Sequence, residues 1–278
     1  MPRPDPAPRK PVPSVFTVRP GGQARGLLAA LRARGLPACN LAPVRLVGLD
    51  PGATLSGLAE RADRWLFTSP AAVRFLRLAA TRHGLALFAP GAALATLAGR
   101  GRVFAPGPGT ARALARAGIV GARQPATTRD SEGLLALPAL AAPLDGTLAL
   151  VGAPQGRGLL APALAARGAT VVELMVYRRQ QTAPQAAALR ALAAAASPLL
   201  VVGSAALLEA LWQALPTALQ GHLRTRGRLV VASPRIAAVA DGMGLPVAAI
   251  AASATAADLA AATRGVTGPD RPPEAARG

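Results

Sequence analysis

The side chains best placed to do chemistry in this sequence are hydroxyls and arginines set beside glycine and proline. Thr68-Ser69-Pro70 follows Trp65-Leu66-Phe67, and Gly107-Pro108-Gly109-Thr110 follows Val103-Phe104-Ala105. Ser204 follows the run from Leu199 to Val202, and Ser233-Pro234-Arg235 follows the run from Leu229 to Ala232. Each is a turn between a short apolar run and an alanine-rich stretch at helical spacing. Backbone N–H groups at such a turn, backed by the positive end of a helix, suit a carboxylate or another anion. The same turns also work with no ligand at all, Thr110 then being simply a helix cap. Thr68, Ser69 and Ser204 can donate to an anion or cap the helices that follow them. Arg19, just after Val15–Val18, can pair with a ligand carboxylate or with a nearby acid.

Other chemistries find little support. Cys39 is the single cysteine and reads as a small apolar filler. His83 and His222 stand alone, with no triad or metal partner, and read as solvated; no metal site is expected. Gly21-Gly22 and Gly156-Arg157-Gly158 complete neither a GxxxxGK(S/T) loop nor a GxGxxG fingerprint. Tyr177 is the only tyrosine, an aromatic body with one polar tip.

These turns need a scaffold. The chain has 278 residues, 51% of them hydrophobic, with aromatics at only 3%, so leucine, valine and alanine must build the core. Strands are expected at 15–18, 65–67, 102–105, 147–151, 199–202 and 229–232. Helices are expected at 23–34, 71–82, 110–117, 158–166, 185–195, 205–214, 236–242 and 256–263. Alternating strands and helices predict an α/β fold with parallel, doubly wound sheets, whose ligands bind at the carboxyl ends of strands. The hydroxyl-bearing turns sit at those ends.

The pattern occurs twice. Arg25-Gly26-Leu27-Leu28 parallels Arg157-Gly158-Leu159-Leu160, and the helices they open end in Arg34-Gly35 and Arg167-Gly168. The segment from Leu66 to Ala71 parallels that from Val201 to Ala206, and the segment from Val103 to Ala111 parallels that from Leu229 to Ala237. Three collinear pairs at near-constant separation predict two similar α/β halves.

Charge is lopsided: 31 Lys and Arg against 13 Asp and Glu, net +18, with Lys10 the only lysine. An anionic partner or a solubilising surface follows. Scattered arginines and few aromatics argue against specific nucleic-acid binding. The longest uncharged stretches are interrupted by Pro198 and Pro246, so no membrane span is expected, and the N-terminus lacks the apolar region of a signal peptide. Residues 1–14 and 266–278 read as a Pro-rich arm and a loose tail. With a single cysteine, the cytoplasm is the expected compartment.

Over residues 15–263 the chain resembles the uroporphyrinogen-III synthase family. The matches are Val18-Arg19-Pro20 with Gly35, the segment from Phe67 to Val73, Gly107-Pro108-Gly109-Thr110-Ala111 through Gly118, and Ser131-Glu132-Gly133-Leu134-Leu135. They continue through Gly156-Arg157, Arg167-Gly168-Ala169, Val176-Tyr177-Arg178, Ser204, and Ser233-Pro234 through Gly244. The resemblance implies two similar doubly wound parallel-sheet domains joined by a two-stranded hinge, with the substrate cleft between them. One domain would combine 15–43 with 180–265 and the other span 50–171, with hinge strands at 44–49 and 172–179. It implies that hydroxymethylbilane loses water to give an azafulvene cation, which closes with inversion of ring D to uroporphyrinogen III, without cofactor.

On the same basis Tyr177 is the catalytic or orienting residue at the hydroxymethyl group, although an aromatic wedged between crossing strands is the alternative. Arg19, Thr68, Ser69, Gly107, Thr110, Ser204, Ser233 and Arg235 become substrate-binding candidates. Two departures stand out: Val18 replaces the usual threonine, and Ile236 replaces a threonine whose hydroxyl Arg235 would have to replace. A monomer is expected, with transient contact to the enzyme that supplies hydroxymethylbilane. The competing reading is a non-enzymatic two-domain binder of anionic small molecules.

Overall fold

The computed structural model describes residues 14–126, 128, 130–154 and 158–267. The Pro-rich arm before Ser14, the tail beyond Thr267 and the Gly156-Arg157 match lie outside the described residues. The chain runs β1 (Val15–Val18), α1 (Arg25–Arg32), β2 (Ala38–Asn40), β3 (Val44–Gly48), α2 (Gly52–Arg61), β4 (Arg64–Phe67), α3 (Pro70–Arg82) and α4 (Ala93–Gly99). It continues through β5 (Val103–Phe104), α5 (Pro108–Arg116), α6 (Ser131–Leu135), β6 (Thr147–Gly152), α7 (Leu160–Ala165), β7 (Thr170–Met175) and β8 (Tyr177–Gln181). The last elements are α8 (Ala186–Ala194), β9 (Leu199–Val202), α9 (Ala205–Ala214), α10 (Thr217–Arg226), β10 (Arg228–Val231), α11 (Pro234–Gly242), β11 (Val247–Ile250) and α12 (Ala256–Val266). Two compact units result, one from the described residues up to Arg45 together with those from Gln180 onward, the other from Leu46–Arg179. The two passages between them carry β3 and β8, which pair as a two-stranded sheet.

The first unit holds a parallel sheet in the order β11-β10-β9-β1-β2; the second holds a parallel sheet ordered β5-β4-β6-β7. Both are the same arrangement. The run β10-β9-β1-β2 matches β5-β4-β6-β7, with α1 connecting β1 to β2 and α7 connecting β6 to β7. These are the segments that the repeats paired. β11 is an extra strand in the first unit.

Burial on both faces explains why the central strands read as nearly continuous apolar runs, β1 being broken only by buried Thr17. Phe16, Val18, Leu200, Val202, Leu229 and Val231 pack under α8, α9 and α11. Val15, Leu199, Val201 and Val230 point the other way, toward Leu27 and Leu31 of α1 and Leu259 of α12. In the second unit Trp65, Phe67, Ala149 and Val151 join α3 in one cluster. Leu66, Leu148 and Leu150 join Leu160 and Leu164 of α7 in another. Helices therefore cover both faces of each sheet.

Sequence and structure part company at the edges. Strand β7 and the linking strand β8 carry Glu173, Arg178, Arg179 and Gln180 among their exposed or half-buried positions, so neither has the apolar run of a central strand. α10 buries only Leu223 and so lacks a helical stripe. Prolines 70, 108 and 234 begin their helices rather than precede them, because a first-turn position needs no N–H donor.

The repeated helices α1 and α7 stop in the same way. Gly35 N donates to Arg32 O and Leu36 N to Leu31 O; Gly168 N donates to Ala165 O and Ala169 N to Leu164 O. Both glycines have positive φ, 72° and 106°. Space differs, since a Cβ on Gly168 would sit 3.3 Å from Leu144 O while one on Gly35 would meet nothing. At α12, Thr255 Oγ1 accepts from Asp258 N at 3.2 Å, and the hydroxyls of Ser253 and Thr255 donate to the Asp258 carboxylate. Those bonds, Ser253's first, hold the Asp258 carboxyl below its usual pKa against a small opposing effect of burial.

Two outcomes follow. In urea titrations Gly168→Ala should lower stability by about 1–3 kcal/mol, and by more than Gly35→Ala, which pays only the left-handed backbone cost. Because folding depresses the Asp258 pKa, its stabilisation is present above the unfolded value of about 3.9 and is lost as pH falls through the folded value. Unfolding midpoints measured from pH 5 down to pH 2 should therefore decline less steeply for Asp258→Asn than for the unaltered chain.

Candidate functional site

In the second unit, β4 and β6 lie side by side and end in register, Phe67 opposite Val151. Their following helices, α3 and α7, leave toward opposite faces. A cavity of about 780 Å³ opens at these carboxyl ends. Thr68 and Ser69 line it from β4, Gly152, Ala153 and Pro154 from β6, and Tyr177 and Arg179 from β8. Alternation along the chain puts Val171, Glu173, Met175, Tyr177 and Arg179 on this wall, while Leu174 and Val176 enter the core.

Each hydroxyl here has an assignable role. Thr68 donates through Oγ1 to Val151 O at 3.1 Å, and its N–H reaches the same carbonyl at 3.0 Å. It is not a helix cap, contrary to one of its expected alternatives. Gly152 is required beside it, because a Cβ there would lie 2.7 Å from Thr68 Oγ1. Ser69 is the cap, its Oγ accepting from Ala72 N at 3.1 Å. The same Oγ lies 3.0 Å from the Tyr177 hydroxyl. Only 3% of Tyr177 is exposed, and its ring stacks on Phe75 with centroids 5.4 Å apart. Phe75 is itself held between Arg74, 4.4 Å from its centroid, and Gly48, where a Cβ would come within 3.2 Å. Tyr177 is thus both an aromatic packed on α3 and the bearer of a hydroxyl at the cavity.

Of the neighbouring turn, Pro106 lines the cavity but Gly107 and Thr110 do not. Gly107 is the residue that caps α5, its carbonyl accepting from Thr110 N and Ala111 N. The expectation that Thr110 caps this helix is therefore corrected: it is the third helical residue, 3% exposed.

The other candidates gather in the first unit. Val18, Val202 and Val231 are neighbours across β1, β9 and β10, so Arg19, Ser204, Ser233 and Arg235 follow three adjacent strand ends. Asn40 clamps the Arg19 backbone, accepting from its N–H and donating to its carbonyl, both at 3.1 Å. The guanidinium lies against Gly203, where a Cβ would come within 3.1 Å, and Nη2 donates to Ala254 O at 3.0 Å. A carbonyl rather than an acidic side chain is its protein partner, and Nε is buried with none. Burial lowers the Arg19 pKa. Ser204 and Ser233 occupy N-cap positions without side-chain cap bonds, leaving both hydroxyls open to a ligand; Arg235 is exposed.

The histidines do not stand alone, although His83 is exposed as expected. His83 Nε2 lies 2.6 Å from Asp50 Oδ1, and His222 Nε2 lies 3.0 Å from Ala195 O. The short contact, after a bond from Gly52 N, helps hold the Asp50 carboxyl below its usual range. Among the described residues no group of three His, Cys, Asp or Glu could hold a metal ion, and no helix is long and apolar enough to cross a membrane.

Sequence reasoning missed Asp130, Glu173, Met175 and Arg179 in the cavity wall. The period-two alternation that runs from Val171 to Arg179 was the available signal. Asp130 caps α6, accepting from Gly133 N at 2.8 Å, which a five-residue helix does little to announce.

The model for the family described as Uroporphyrinogen-III synthase HemD matches residues 25–261, a span that includes strands of both sheets. No curated protein matches the chain. A crystal structure of a mutant uroporphyrinogen III synthase from Thermus thermophilus is 22% identical with a TM-score of 0.57, covering 91% of this chain and 98% of that one. The structure of uroporphyrinogen-III synthetase from Helicobacter pylori is 14% identical, also with a TM-score of 0.57, over 91% and 99% of the two chains. At these identities the solved structures speak for the fold, and the family match takes in every strand of both sheets except β1. The chain belongs to the uroporphyrinogen-III synthase family.

Proposed function

We propose that this chain closes hydroxymethylbilane to uroporphyrinogen III with the Ser69–Tyr177 hydroxyl pair as its proton source. The observation that carries this is the 3.0 Å contact between the two oxygens at the cavity wall. Ser69 Oγ already accepts from Ala72 N, and one of the pair's two O–H hydrogens is spent in their mutual bond. Whichever oxygen donates, one hydrogen remains free for a ligand.

That hydrogen goes to the departing hydroxyl. The C–O bond of the hydroxymethyl group breaks, water leaves, and the adjoining pyrrole nitrogen supplies electrons to form the azafulvene cation. Ring D attacks through its substituted carbon, the spiro intermediate opens and recloses with that ring inverted, and the closing pyrrole gives back one proton. The pyrroles provide the electrons; the protein provides geometry and the proton. Negative charge left on the hydroxyl pair faces the N-terminus of α3, which favours it.

In the first unit, Arg19, Ser204, Ser233 and Arg235 serve the acetate and propionate arms, as do the turns at Thr68 and Gly107-Thr110 in the second. Strands β3 and β8 act as the hinge between the units. The protein works as a cytoplasmic monomer that receives its substrate from the enzyme making hydroxymethylbilane.

Purified protein mixed with fresh hydroxymethylbilane, then oxidised and resolved by isomer chromatography, should give mainly uroporphyrin III. Folded protein yielding only the type I isomer would overturn the assignment. Tyr177→Phe should cut turnover roughly 10–100-fold while the product stays type III. Ser69→Ala should also slow turnover and weaken the α3 cap by about 1 kcal/mol. If the two hydroxyls act as one unit, the double variant will be no slower than the worse single. A normally folded, fully active Phe variant would remove Tyr177 from the mechanism.

A further inference from the structure

Arg179 is the one cationic side chain among the described residues that line the cavity; its other charged groups are the carboxylates of Asp130 and Glu173. Two arginines near other parts of the linking strands and the second unit are engaged within the protein. Arg45 donates twice to Gln180 Oε1, at 3.1 and 2.9 Å, and Arg167 donates to Leu135 O and Leu140 O at 2.7 and 2.6 Å. The Arg179 side chain makes no hydrogen bond or ion pair with any described residue. It is exposed, and it follows Tyr177 by two positions on the same strand, β8. Residues so spaced point to one face with their Cα atoms about 7 Å apart.

The substrate supplies a matching distance. On the pyrrole that carries the hydroxymethyl group, the adjoining ring carbon carries a carboxylate arm. With the hydroxymethyl at the Tyr177 phenol, that arm comes within reach of a guanidinium one strand repeat away. Asp130 and Glu173 repel carboxylates from the rest of the wall, so one position favours an arm and two oppose it. We propose that Arg179 binds this arm and thereby decides which end of the linear tetrapyrrole enters against Tyr177. The proposal rests on Tyr177 being the residue at the hydroxymethyl group. A planar fork offers two parallel donors to a carboxylate, a geometry that an ammonium cannot reproduce.

Arg178 supplies the control. It is exposed on the same strand, carries the same charge and does not line the cavity. Steady-state kinetics with hydroxymethylbilane would compare the unaltered protein with Arg179→Gln, Arg179→Lys and Arg178→Gln, each checked for an unchanged thermal midpoint. Arg179→Gln should raise KM about tenfold or more with kcat within about threefold, and Arg178→Gln should move KM less than about twofold. Arg179→Lys should fall between. Raising ionic strength should raise the KM of the unaltered protein more than that of Arg179→Gln. An unchanged KM in Arg179→Gln, or equal effects from both glutamine variants, would overturn the proposal while leaving the synthase reading intact. Only type I product from the unaltered protein would overturn that reading and this one with it.

Discussion

The structure depends on a divergence. β4 and β6 run side by side in the same direction, yet α3 packs on one face of their sheet and α7 on the other. Two chains turning away from each other leave a crevice at the strand ends that no side chain has to hollow out. Everything chemical in the second unit follows from this gap. Ser69 reaches it as the first turn of α3 begins, Gly152 keeps it clear for Thr68, and β7 and β8 close one side with alternate residues. Tyr177 can therefore be almost fully buried as a ring and still present its oxygen to Ser69.

The arginine surplus gains a physical reading in this light. Among the described residues the cavity wall does not concentrate positive charge, since two carboxylates and one guanidinium line it. Many arginines act instead as planar donors and stacking surfaces. Arg167 ties the end of α7 to two carbonyls before it, Arg74 covers Phe75, and Arg224 lies 4.9 Å above the Trp212 ring while donating to Met243 O. Lysine has neither the plane nor the fork for these tasks, so replacing one by the other would not be neutral at such positions.

The sequence exposed the parts of the fold that are buried on both sides. Phe16, Val18, Leu200 and Val202 announce strands because water reaches neither face, and the paired Arg-Gly endings of α1 and α7 announce a repeat because a left-handed residue is needed there. Edge strand β7 did not show in the apolar pattern, since exposed Glu173 interrupts it, and only the family resemblance placed a strand there, as part of a 172–179 hinge rather than at the sheet edge. Within the site, turn chemistry revealed Thr68 and Ser69 but could not divide their labour. Only the folded backbone distinguishes a hydroxyl bonded to Val151 O from one that caps a helix. Arg179 escaped notice for a related reason: its importance lies in facing the cavity when Arg178 does not, and composition is blind to facing.

The shared sheet order has a consequence for how the chain is made. In the second unit the central neighbours β4 and β6 belong to one continuous stretch, but in the first unit β1 must wait for β9, and the whole of Leu46–Arg179 is synthesised between them. Until Leu199 emerges, Val15 and Phe16 have only β2 as a partner. At typical synthesis speeds the delay is about 10–30 seconds. The inserted unit can fold in that interval, while the opening segment stays unfinished and open to chaperones. Assembly thus proceeds from the middle of the chain outward, and β1, the earliest of the described strands, is among the last to be secured.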